Sequence, residues 1–127
     1  MRSFVIAAII ISGVALAACH DTTSPAAQPR IAGISGITLP ARAGESDTVP
    51  ISFIYTTAPC DTSIVETRQS FSGVRFTVTA FPTNQPCIAV LSVEHPFHYS
   101  VLPVHAVPLS VMFTEPDGKD SVRIVSQ

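Results

Sequence analysis

The stretch Gly73-Val-Arg-Phe-Thr-Val-Thr-Ala-Phe81 decides the fold. Val74, Phe76, Val78 and Ala80 alternate with Arg75, Thr77 and Thr79. Side chains of an extended chain point to opposite faces in turn, so this segment has one apolar and one polar face. Its β-branched and aromatic residues at period two spell a half-buried strand; a helix would repeat its apolar positions every three to four residues.

Outward from it, Val49–Tyr55 repeats the pattern. Val49, Ile51, Phe53 and Tyr55 share one face, and Pro50, Ser52, Ile54 and Thr56 the other. Pro50 cannot donate to a ladder and belongs at a strand start or edge. Toward the C-terminus, Leu109, Val111 and Phe113 alternate with Ser110, Met112 and Thr114. Glu115-Pro-Asp-Gly-Lys119 supplies turn residues, and Val122 and Ile124 are expected to return to the core as the second arm of a hairpin. Ser63–Gln69 reads as a strand anchored by Ile64. Ile88–Glu94, opened by Cys87, is apolar on both faces and reads as a central strand. Ile31–Leu39 is a weak first strand interrupted by Gly33 and Gly36. His95–Pro108 carries Pro96, Pro103 and Pro108. Each interior proline costs a helix roughly 3 kcal/mol, so an extended edge segment, Tyr99–Val104, is expected there. The tally is seven or eight short strands about ten to fourteen residues apart, with no convincing helix after residue 19. That is an all-β chain, an antiparallel β-sandwich.

Ahead of the strands, Arg2 is the only charge before an apolar run, Phe4–Leu16, that ends in Leu16-Ala-Ala-Cys19. A basic start and an apolar stretch make a secretory signal peptide. At 13 residues the run is short of the ~20 that a spanning helix needs. The small pair Ala17-Ala18 suits a peptidase subsite. A cysteine directly after it resembles the bacterial lipoprotein signal. That resemblance implies that the Cys19 thiol takes a diacylglyceryl group and that cleavage leaves Cys19 as the acylated N-terminus. It divides the chain into a helical signal peptide (1–18), a lipidated tether (19–30) and a domain (31–127). His20–Pro29 is polar, small and proline-bearing, as a tether should be. Acyl chains on Cys19 then make the membrane a partner. Because His20 rather than Asp follows Cys19, resemblance to lipoprotein sorting in enteric bacteria favours the outer membrane in a cell that has one.

The segment Cys19–Gln127, about 109 residues, is enough for one domain with a modest core. It carries six basic residues against nine acidic ones. Such a surface offers no footprint for nucleic acid and no basic cluster for anionic lipid. Three cysteines would leave one over in an exported protein. If Cys19 is lipidated, Cys60 and Cys87 remain, and an oxidising compartment favours their disulfide over two free thiols. A metal pair is less favoured, since neither has a second cysteine or a histidine close in sequence.

Taken together, VPISFIY running into APCD, GVRFTVTAF, PCIAV and the hairpin SVMFTEPDGKDSVRIV resemble the Ig-like β-sandwich lipoproteins of bacteria, over Ile31–Val125. Val107-Pro108-Leu109 stands where typical members carry a Gly-x-Tyr step, and the chain has no Trp to pack on a bridge. The resemblance implies a module that binds, spaces or stabilises, with no enzyme activity and no cofactor.

The candidate chemistry is thin. His95, His98 and His105 lie near Glu94, and imidazole with carboxylate suits zinc. On an extended strand, however, His95 and His98 point to opposite faces, as do His98 and His105. Asp61, Glu66 and Glu94 are scattered carboxylates. Asp47, Asp117 and Asp120 sit at loop ends without the run of ligands of a calcium loop. No nucleophile elbow or phosphate loop appears. The expectation is a lipid-anchored envelope module that binds a protein or glycan partner or gives structural support. The rival is a small hydrolase or metal-binding protein built on the three histidines. A third reading is an accessory whose free strand edge joins a partner's sheet.

Overall fold

The computed structural model describes residues 28–83 and 91–127. The segment expected to be a helical signal peptide, Cys19 and Cys87 lie outside these residues. The described chain is all-β, with eight strands: β1 (Arg30–Ile31), β2 (Gly33–Thr38), β3 (Val49–Thr57), β4 (Thr62–Gln69), β5 (Gly73–Phe81), β6 (Val93–Val101), β7 (Leu109–Thr114) and β8 (Asp120–Val125).

They form two sheets that face each other across one core. In the five-stranded sheet, β5 pairs with β4 along one edge; its other edge is shared end to end by β7, at Gly73–Phe76, and β1, at Thr79–Ala80. β8 closes that sheet beyond β7. The second sheet has the order β2-β3-β6. The ladders are antiparallel except β5·β7, which is parallel.

The stretch that decides the fold is also the middle of the core. Val74, Phe76, Val78 and Ala80 are all buried, beside Leu109, Val111 and Phe113 of neighbouring β7 and across the core from Val49, Ile51 and Phe53 of β3. Phe76 meets Phe53 edge-on at 5.2 Å, Phe113 stacked at 5.5 Å and Tyr99 edge-on at 5.4 Å between ring centroids. Aromatic rings from both sheets thus interlock where no Trp is present.

Several strands differ from the sequence expectation. The first strand is two: the chain crosses between the sheets at buried Ala32, whose N–H bonds Val78 O at 2.9 Å. In β4 the inward position is Val65, while Ile64 is 60% exposed. One residue of register moves every side chain to the other face, and apolarity alone does not fix it here. For the same reason Val122 and Ile124 are exposed and Val125 is the buried residue of β8. Of the expected strand Ile88–Glu94, residues 88–90 lie outside the described residues; Val93 and Glu94 open β6 (Val93–Val101), which is an edge strand of its sheet. It absorbs Pro96 and ends before Val104.

The two prolines inside the second sheet agree with each other. Ile54 lies opposite Pro96, and Pro50 opposite Ser100. Both pairs fall in the same alternating set, so the missing N–H groups lie where no β3–β6 bond is needed. β2 stops at Thr38, opposite Ser52, and so does not reach Pro50.

Candidate functional site

The registers define two poles. At the near pole lie Arg30, where the described domain begins, the β3–β4 turn (Ala58–Asp61) and the β7–β8 turn (Glu115–Lys119). At the far pole lie the β2–β3 connection, the β4–β5 turn (Ser70–Ser72) and the β6–β7 segment (Leu102–Pro108).

The three histidines do not converge. His95 faces inward near the start of β6, stacks on Tyr55 at 4.9 Å and shares a hydrogen bond of 2.9 Å with Thr57 Oγ1. His98 is exposed on the opposite face, across from Ser52. His105 is buried at the far pole, with Nε2 2.8 Å from Asp47 O and Nδ1 3.0 Å from Ala106 O. These two carbonyls raise its pKa, Ala106 most; burial opposes them, and the charges of Asp47 and Glu45 add to the rise. Among the described residues no group of three His, Cys, Asp or Glu is placed to hold a metal ion. The geometry the rival reading requires is therefore missing from the described residues.

The carboxylates are used locally. Asp61 pairs with Arg30 and accepts the Ala58 N–H at 3.3 Å, which ties the first residue of β1 to the β3–β4 turn. Glu66 pairs with Arg68 at 2.6 Å, and Glu94 is exposed on β6. Asp47 accepts the Gly44 N–H at 2.7 Å, Asp117 the Lys119 N–H at 2.9 Å, and Asp120 pairs with Arg75 at 2.9 Å. These are turn and ladder contacts, not a converging set.

Two hollows open on the surface. One, about 310 Å³, lies at the near pole between Arg30, Thr57, Pro59 and Leu91. The other, about 350 Å³, crosses the outer face of the β2-β3-β6 sheet between Thr38, Pro50, Ser52, His98 and Ser100. Cys60 sits exposed in the β3–β4 turn.

Sequence reasoning missed the far pole. Phe71 is 66% exposed, Leu102 67% and Val104 77%. The three stand on neighbouring loops, joined where Ala106 N–H donates to Phe71 O at 2.7 Å. Val104 has φ 72°, a left-handed conformation that a β-branched residue rarely adopts and that often marks a functional loop. The signal was the unbroken Leu102-Pro-Val104, read as the tail of a strand. Compared with protein-family models, curated proteins and solved structures, the chain matches none.

Proposed function

We propose that this protein is a lipid-anchored envelope module, held to a membrane by acyl chains on Cys19, that presents the far pole of its sandwich to a protein or glycan partner and performs no catalysis. The observation that carries the reading is the polarity of the domain. The tether joins at Arg30 on the near pole, and the exposed Phe71, Leu102 and Val104 lie on loops at the other end. The Arg30–Asp61 pair ties the first residue of β1 to the β3–β4 turn at that pole. The 11 residues Cys19–Pro29, acting as the proposed tether, would have a mean reach of roughly 20 Å and keep the domain close to the bilayer with its far pole outward. The resemblance to Ig-like lipoproteins supports the same reading. Replacing Cys19 by Ala should abolish labelling by a fatty-acid probe and leave the chain unprocessed. A photo-crosslinking residue at Val104 should capture a partner that one at Asp117 does not. Normal processing and labelling of Cys19→Ala, or equal capture from both poles, would contradict the proposal.

A second reading has its own observation. β6 is an edge strand of nine residues with Glu94 as its one formal charge. Past Pro96, His98–Val101 offers free backbone groups that a partner strand could pair with. Ser100 occupies the same alternating set as Pro96, so Ser100→Pro should block strand addition while sparing the bonds to β3. Partner binding unchanged in that variant would exclude edge addition.

A further inference from the structure

The segment Leu102–Pro108 closes the far pole and is held at its middle by one side chain. His105 is 1% exposed. Its two ring nitrogens each face a backbone carbonyl oxygen, Asp47 at 2.8 Å and Ala106 at 3.0 Å. A carbonyl oxygen only accepts, so both contacts are hydrogen bonds only when each ring nitrogen carries a proton, as in the imidazolium. Three backbone amides complete the attachment. Val104 and His105 donate to Glu45 O at 3.0 and 3.3 Å, and Ala106 donates to Phe71 O at 2.7 Å. The residue just before the ring, Val104, keeps its left-handed φ and stands in solvent. A strained, outward-facing residue persists only where its surroundings over-determine it, and here they do.

We propose that His105 is a protonation-dependent pin: while its ring carries both protons it fixes the Leu102–Pro108 segment, with the exposed side chains of Leu102 and Val104, in one conformation, and on losing a proton it lets the segment loosen. One ring N–H bond breaks, its electron pair stays on the nitrogen and the proton leaves to a solvent base; no other covalent bond changes. What remains is a nitrogen lone pair buried against a carbonyl oxygen, two acceptors with no hydrogen between them. Relief comes from withdrawing the ring, and Val104 is then free to leave its strained conformation. The charged groups facing the ring are Glu45 and Asp47, both on the β2–β3 connection and both favouring the cation. The β4–β5 turn Ser70–Ser72 and the segment itself carry no other titratable side chain. The expected behaviour is a far pole that is rigid below the folded pKa of His105 and mobile above it.

The test is nitrogen-15 NMR with amide hydrogen exchange on the full-length chain in detergent micelles, across the titration of His105. At pH 6 both His105 ring nitrogens should be protonated. As the ring titrates, protection of the Val104, His105 and Ala106 amides should fall about tenfold or more after correction for intrinsic exchange, while that of Val111 in the core holds. Glu45→Gln leaves the carbonyl acceptors in place and should move both midpoints downward together. His105→Gln should remove the pH dependence of protection. A neutral His105 at pH 6, protection unaltered across the titration, or midpoints that move separately would overturn the proposal.

Discussion

Gly73 shows how one missing carbon atom permits a ladder. A Cβ there would lie 2.8 Å from Ser110 O, and that oxygen belongs to the backbone of β7, which has nowhere to withdraw. Gly73→Ala should therefore cost about 1–3 kcal/mol in chemical denaturation. Gly33→Ala, which meets nothing within 4 Å, should stay within about 0.5 kcal/mol of the parent. Phe76 lies at the other extreme of size. Its ring touches those of Phe53, Phe97, Tyr99 and Phe113, so Phe76→Ala should cost about 3–5 kcal/mol. His105 sets the pH dependence. Its folded pKa is raised above the unfolded value of 6.5, so its contribution to stability is complete below 6.5 and is lost as the pH rises through the folded pKa. Denaturation midpoints measured from pH 5 upward should decline in the parent as the pH rises from 6.5 through the folded pKa. They should decline less in His105→Gln.

At the scale of elements, the strands whose two faces differ sharply were legible and the rest were not. β3, β5 and the first arm of the closing hairpin are written as clean alternation, and their buried residues are those the alternation names. β4 and β8 carry apolar residues on both faces. Ile64 competes with Val65, and Val122 and Ile124 compete with Val125, and only the register against β5 and β7 decides between them. β6 was hidden by Pro96, because a missing N–H reads as a break until the partner strand shows that the N–H was not needed. The contrast can be measured. Ser100→Pro should melt close to the parent. Tyr99→Pro, one residue earlier, removes a donor from the β3 ladder and should unfold at clearly lower denaturant. Within the candidate site, the opposed faces of His95 and His98 were readable from spacing alone. The burial of His105 was not, since it depends on the Glu45–Asp47 connection, far away in sequence.

At the scale of the whole molecule, a domain of this size has a modest core and benefits from a covalent staple. Cys60 lies at the near pole, in the turn between β3 and β4. A Cys60–Cys87 bridge would close a loop of about 27 residues and by chain-entropy reasoning add roughly 3–4 kcal/mol, less any strain. Against a total stability of about 5–15 kcal/mol for a small domain, reduction should lower the melting temperature markedly. An unchanged melt after reduction would deny the bridge a stabilising role. The bridge also bears on the anchor, because pairing Cys60 with Cys87 leaves Cys19 as the cysteine available for lipid. The direct measurement is the mass of the N-terminal peptide of the protein extracted from cell membranes. The account predicts a chain that begins at Cys19 and carries acyl groups on both its sulfur and its amine. A chain that begins elsewhere, or a Cys19 with an unmodified thiol, would contradict it.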